Sequence, residues 1–420
     1  MTKHLLSLLF LLLAVTACGG SENDPTDSPS PTPDGGETGI ELPGALDPKD
    51  VSKSNAMHVF AHYMPWFETP ETNNGKWGQH WTMSTCNPNQ KDSNGRRQIA
   101  SHYYPLIGPY ASSDATVLNY HALLMKYSGL EGVMIDWYGT QNVYDYPANE
   151  KNTKALVQAI DRVGLKFAIV YEDATLAQCS GDKTAQAAAD MAYIEKNYFK
   201  KENYVKTADG KPLLMIFGPQ QLQKPEEWTK AFSGLSQKPT FVVLNGFSHC
   251  ANNANHTNSA GEFLWVNGNP DYSKIGQFSF YIGGAMPGFL DYYKEGGQGN
   301  GYTTYDHENG ALFDRQLAAA KEAKLDYLQI STWNDFGEGT NIEPTVEYGY
   351  RYLTRLQQFT GVSYQESNLK LIHRWYEQKV KHAGASGTVK EYLSQAFYFL
   401  IALQPDKAEV LVKAVEEEQF

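Results

Sequence analysis

The segment "LDYLQISTWNDFGEG", residues 325–339, starts as an apolar, β-prone run and then collects Asn334, Asp335 and Glu338 around two glycines. The first half reads as a strand buried on both faces. Charge placed directly after such a strand must reach solvent or a cleft, because burying it unpaired is costly. Seven other runs look alike: "MHVFAHYM" (57–64), "LEGVMIDWYG" (130–139), "LKFAIVYE" (165–172), "PLLMIFG" (212–218), "PTFVVLNG" (239–246), "EFLWV" (262–266) and "IGQFSFYIG" (275–283). Helical patterns separate several of them. In "ATVLNYHALLMKYSG" (115–129), Leu118, Leu123, Leu124 and Tyr127 form one stripe, and "ALFDRQLAAAKEAK" (311–324) precedes the last strand. Eight near-continuous strands joined by helices predict an α/β fold, a closed (β/α)8 barrel of the TIM type. A doubly wound open sheet is the alternative. It would want a glycine-rich turn after its first strand, and "HYMPWFETP" (62–70) contains no glycine. The fifth and sixth helices are the least clearly marked.

The N-terminus is unlike the rest of the chain. "MTKHLLSLLFLLLAVTAC" has a basic start and an apolar core from Leu5 to Val15, too short for a permanent membrane span, and reads as an export signal. Its end, "VTAC", resembles the lipobox of bacterial lipoproteins, which makes Cys18 the lipidated first residue of the mature chain. The adjoining "GGSEND" resembles the tether that sends lipoproteins to the cell surface of the outer membrane. Residues 19–50, rich in Gly, Pro, Ser, Thr and Asp, read as a solvated stalk. The barrel is expected over 51–360, with a helical extension over 361–420. A formal net charge of -12 disfavours nucleic acid and anionic lipid surfaces as partners, so contact with the membrane is expected through the lipid anchor alone. Beyond Cys18 there are three cysteines and no CxxC spacing, so neither a metal nor another cofactor is expected.

In a barrel of this type the functional groups gather at the C-terminal ends of the strands. Asp335 and Glu338 fall there on the last strand. Asp136-Trp137-Tyr138 fall there on the second, Tyr171-Glu172-Asp173 on the third, and His62-Tyr63 with Pro65-Trp66 on the first. Each has a plainer reading: an Asp after a strand can cap a helix, glycines can shape a turn, and most Trp and Tyr rings simply pack. Paired carboxyls among aromatic faces nevertheless suit glycoside cleavage. One acid protonates the leaving oxygen, another group generates the nucleophile, and aromatic rings stack on sugar faces. The pair works only if the backbone turns at 335–338, and Gly337 is expected to supply that turn.

The motif "TWNDFGEGTNIEP" (332–344) resembles the signature of glycoside hydrolase family 99, the endo-acting α-mannosidases, and also that of family 71, the α-1,3-glucanases. "HYMPWF", "WGQHW", "HYYPLIGPYASSD" and "GVMIDWYG" occur in the order such enzymes use, and the resemblance runs from about residue 57 to 360. It implies Glu338 as general acid/base and Asp335 as the group activating the nucleophile. It also implies substrate-binding roles for Tyr63, Trp66, His80, Trp81, Asp136, Trp137, Tyr171 and Glu172, and for Trp333 and Asn334 of the motif itself. The sequence departs from family 99 in having Asp at 335 and Phe336-Gly337 between the two acids, features closer to the family 71 pattern.

The reading is therefore an exported lipoprotein, monomeric, that cleaves an α-mannan or α-glucan internally without a cofactor. The alternative is a catalytically silent glycan-binding lipoprotein on the same barrel. An enzyme of saccharide assembly fits poorly with an export signal, because activated sugar donors are cytoplasmic.

Overall fold

The computed structural model describes residues 42–418. The export signal, Cys18 and the first part of the expected stalk lie outside them. In chain order the regular elements are β1 (His58–Tyr63), α1 (Gln79–Thr82), α2 (Ala115–Tyr127), β2 (Gly132–Trp137), α3 (Tyr146–Val163), β3 (Lys166–Tyr171), α4 (Lys183–Ile194) and β4 (Leu213–Ile216). They continue with α5 (Pro225–Phe232), β5 (Thr240–Leu244), α6 (Ser248–Ala251), β6 (Ser259–Phe263), β7 (Phe280–Ala285), α7 (Ala311–Glu322), β8 (Tyr327–Ile330) and α8 (Arg351–Thr360). Three helices complete the chain: α9 (Glu366–Lys381), α10 (Thr388–Ile401) and α11 (Pro405–Glu416).

All eight strands pair in parallel with their sequence neighbours, and β8 returns to β1, closing the barrel. Every residue of β2 is buried, as expected of a strand with side chains inside the barrel on one face and helices on the other. Helices start and stop where the sequence signals it. Asp114 caps α2 by accepting the N–H groups of Thr116 and Val117 at 2.7 and 3.1 Å. Helix α3 buries Leu156, Val157, Ile160 and Val163 as one stripe and ends at Gly164.

Two elements differ from expectation. β6 forms over Ser259–Phe263, ahead of the expected 262–266, because its first half is built from Ser259, Ala260 and Gly261, which carry no apolar signal. β7 starts at Phe280, with a short 3-10 turn over Ile275–Gln277 in place of its expected first residues. The weak fifth and sixth helices are physically small: α6 is a single turn of four residues, and only that 3-10 turn comes between β6 and β7.

Residues 42–50, which their composition places in the stalk, run along the helical extension. Leu42 is buried, Gly44 N–H donates to Gln395 Oε1 at 2.8 Å, and Lys49 N–H donates to the Ile401 carbonyl at 3.1 Å. The extension shares the barrel's hydrophobic core through Trp375, Leu393 and Leu400. A separate aromatic cluster of Phe67, Trp81, Tyr110 and Phe336 fills the space under the loops after β1 and β8.

Candidate active site

The turn after β8 is built from its own side chains. Thr332 Oγ1 accepts the Asp335 N–H at 2.7 Å, and Asp335 Oδ1 accepts the Glu338 N–H at 2.9 Å. Gly339, not Gly337, makes the tight position: it has φ +65, and a Cβ there would lie 2.6 Å from the Leu290 carbonyl oxygen. That closeness lets the loop after β7 lie against the turn, with Leu290 N–H on the Glu338 carbonyl at 2.9 Å and Tyr292 N–H on the Gly337 carbonyl at 2.8 Å. Asp291 folds the rest of the β7 loop back by accepting the N–H groups of Tyr293 and Tyr302 at 3.0 and 2.7 Å. Tyr293 is thereby aimed at the pair, and its hydroxyl donates to Glu338 Oε1 at 3.1 Å.

Above the turn lies a cleft of about 620 Å³, with Trp66, His80, Tyr138, Tyr293, Tyr302 and Asp335 among its walls. Trp66 and His80 stack face to face, centroids 4.2 Å apart at 5°. His80 Nε2 lies 3.2 Å from Asp145 Oδ2, which fixes the ring.

Four carboxyl groups meet here and share one electrostatic problem. Burial pushes Asp136 up to about 8, helped by the charges of Asp335 and Asp145. Glu172, beside Asp136 and Asp173, is raised well above the carboxylate range, chiefly by burial. Asp335 is raised to about 7 by burial, and the N–H groups of Glu338 and Gly337 pull it back down. Glu338 is raised well above the usual range by burial and then by Asp335, with the Tyr293 hydrogen bond opposing. Asp335 is thus better placed than Asp136 to ionise, because backbone donors stabilise its charge while only negative neighbours act on Asp136. Burial also lowers His62, inside the barrel, to about 4, so its ring is neutral near pH 7.

Of the residues expected to bind substrate, Trp66 and His80 line the cleft, and Asp136 and Glu172 belong to its cluster of carboxyl groups. The rest turn elsewhere, Tyr63, Trp137 and Tyr171 because adjacent strand residues face opposite ways. Tyr63 points out to α2, its hydroxyl 3.0 Å from His121 Nδ1. Trp137 and Tyr171 are register partners on the outer face, donating to Glu150 Oε2 at 2.6 Å and Asp190 Oδ2 at 2.7 Å. Trp81 is buried against Phe67 at 4.0 Å, with its Nε1–H on the Tyr110 carbonyl at 2.8 Å. Trp333 is buried against His121, 5.4 Å away. Asn334 straps β8 to the end of β1: it accepts the Met64 N–H at 2.8 Å and donates to the Met64 carbonyl at 3.0 Å.

The sequence reading placed Tyr138 at the rim without giving it a binding role, and it missed Tyr293 and Tyr302. Tyr138 was recoverable by alternation, since it shares a face with Asp136. The other two come from a long loop that carries no periodic signal. Among the described residues no group of three or more His, Cys, Asp or Glu is arranged to hold a metal, and Cys86, Cys179 and Cys250 are unpaired.

Comparison with known proteins gives the same direction. The model of "Glycosyl hydrolase family 99" matches residues 54–240, which cover β1 to the start of β5 and stop short of the 332–344 motif. The chain is 22% identical over 366 residues to a glycoprotein endo-alpha-1,2-mannosidase-like protein of Danio rerio, covering 76% of this chain and 77% of that one. It is 23% identical over 359 residues to the human protein of the same name, covering 77% and 76%. Among solved structures, the GH99 endo-alpha-mannosidase from Bacteroides thetaiotaomicron superposes with a TM-score of 0.58 at 21% identity, over 72% of this chain and 96% of that one, which establishes the shared barrel. The chain is a glycoside hydrolase, and what it resembles, in its first half by the family model and along most of its length by its relatives, is the family 99 enzymes.

Proposed function

We propose that the chain is an outer-membrane lipoprotein that cleaves an α-linked polysaccharide internally, with Glu338 as general acid and Asp335 as the group that activates the nucleophile. α-Mannan is favoured over α-glucan because the matched relatives are endo-mannosidases by name. One observation carries the assignment: two carboxyls three residues apart occupy one desolvated site in unlike surroundings. Glu338 keeps its proton because burial and the neighbouring Asp335 oppose its charge. With Oε1 accepting from Tyr293, its second oxygen is free to pass that proton to the departing glycosidic oxygen. Asp335 uses Oδ1 to hold the turn, and its other oxygen takes a proton from the nucleophile as the new bond to the sugar carbon forms. Asp136, neutral near pH 7, can donate a hydrogen bond to a sugar hydroxyl. The stacked Trp66 and His80 supply an aromatic face.

The two acids should fail differently. Glu338→Gln is expected to lose roughly 10²–10⁴-fold on natural glycans and to be partly rescued on aryl or fluoride glycosides, whose leaving groups need little protonation. Asp335→Asn should be slow on both substrate types. Near-full activity of both variants on every substrate would make the pair structural. A wild type that binds α-mannan but cleaves nothing would instead establish a glycan-binding protein.

Stability supplies a second check. The folded values of Asp335, about 7, and Asp136, about 8, lie above the ordinary 3.8, so the native state binds more protons than the unfolded state between pH 4 and 7. Stability contributed by these groups therefore falls as pH rises through that window. Asp335→Asn keeps an acceptor for the Glu338 N–H and removes the buried charge, so it should be more stable than wild type by about 1–2 kcal/mol at pH 8 and nearly equal at pH 4. Thermal unfolding at the two pH values measures this, and an equal or lower melting temperature at pH 8 would contradict the assigned burial.

Trp66 and Trp81 separate binding from packing. Trp66→Ala should weaken oligosaccharide affinity by about 1–3 kcal/mol with little loss of stability. Trp81→Ala should cost about 3–5 kcal/mol of folding stability. Paired calorimetry of binding and unfolding reads both, and a reversed pattern would exchange their roles.

The proposed location rests on "VTAC" and the apolar segment before it. Cys18→Ser should release the protein from membranes in cell fractionation, and retention of that variant in the membrane pellet would remove the anchor from the proposal.

A further inference from the structure

The loop between β2 and α3, residues 138–145, contains a feature that neither packing nor the acid–base chemistry requires. At its apex Tyr144 is 79% exposed, the most open large apolar side chain among the described residues. Its backbone has φ +47, a left-handed position that a tyrosine adopts at a cost and that recurs at functional sites. The ring does not repay that cost by burial. Its hydroxyl reaches Gln178 Oε1 at only 3.5 Å.

The loop is nevertheless firmly tied around this apex. Thr140 donates from its N–H and its hydroxyl to Asp190 Oδ1 at 3.0 and 2.6 Å. Gln141 Nε2 donates to the Thr175 carbonyl at 3.0 Å, and Asp145 holds His80 at 3.2 Å. The chain is thus braced to present one aromatic ring to solvent.

That ring is also the end of a continuous series. Tyr144 meets Tyr146 at 6.1 Å, Tyr146 meets Tyr138 at 5.3 Å, Tyr138 meets Trp66 at 6.3 Å, and Trp66 stacks on His80. Tyr138 and Trp66 are walls of the cleft that holds Asp335, so a series of neighbouring aromatic rings leads from that cleft to the open apex.

We propose that Tyr144, with Tyr146 beneath it, is a distal sugar-binding platform for the part of the glycan chain that leaves the cleft along the β2 side. This rests on the glycan-cleaving function proposed for the carboxyl pair. The occupant is an uncharged pyranose: the ring offers a face for stacking, and Gln178, whose Oε1 lies 3.5 Å from the Tyr144 hydroxyl, offers an amide beside it. Residues 138–146 contain no Lys or Arg, and Asp145 is acidic, which disfavours a phosphate or a uronic acid.

The test uses the full chain and two probes, α-mannotriose and α-mannohexaose, with wild type, Tyr144→Ala and Tyr144→Phe. The platform predicts that Tyr144→Ala lowers the hexaose-to-triose ratio of kcat/KM about tenfold, while Tyr144→Phe, which keeps the face, retains it. An unchanged ratio in Tyr144→Ala overturns the platform and leaves the catalytic reading intact. An equal loss on both probes also overturns it, because the loop would then support the reaction centre alone. If wild type turns over neither probe, the catalytic reading fails separately, and calorimetric binding of α-mannohexaose decides the platform. Weaker binding by Tyr144→Ala than by wild type supports it; equal binding, or none by wild type, overturns it.

Discussion

Desolvated negative charge at the mouth of the barrel is the constraint to which the site is fitted. Asp136, Glu172, Asp335 and Glu338 come from the ends of three strands, and burial opposes the ionisation of each. Full ionisation of such a group would be prohibitively unfavourable, so protons must be shared unequally among them. What decides the distribution is the supply of hydrogen-bond donors. Backbone N–H groups favour the charge of Asp335, whereas Glu338 has one hydroxyl donor set against burial and the charge of Asp335, so Glu338 holds its proton more firmly, a difference that suits the proposed acid–base chemistry.

The barrel itself was legible because its signal is large. Each strand is buried on both faces, so its apolar run stands out against the helices, and all eight runs became strands. The differences arise where that signal is physically weak. The start of β6 consists of Ser259, Ala260 and Gly261, and the connections after β5 and β6 are too short to show an amphipathic stripe.

The site was legible at the level of strands and less so at the level of side chains. Tyr63, Trp137 and Tyr171 sit at the ends of strands that do reach the mouth, and proximity in sequence suggested that they do too. A strand alternates, however, so Asp136 facing inward obliges Trp137 to face outward, where it finds Glu150. The same rule makes Tyr138 a cleft residue. Tyr293 obeys no such rule, because its position depends on Asp291 folding one loop and on Gly339 admitting that loop against another. Contacts between two irregular segments leave no periodic trace.

The turn at 335–339 also shows why the capping and catalytic readings of Asp335 do not exclude each other. A carboxylate has two oxygens, and Oδ1 accepting the Glu338 N–H uses only one of them. That bond fixes the side chain's rotamer and sets the backbone position of Glu338, and it stabilises the ionised form of Asp335. The short side chain matters here, since an Asp can bond the backbone three residues on while staying over its own turn. A glutamate has an extra methylene to accommodate before it could make the same bond. The aspartate at 335 is therefore matched to a turn in which one acid holds the other in place, and the structural use of its first oxygen leaves the second open for the chemistry proposed for it.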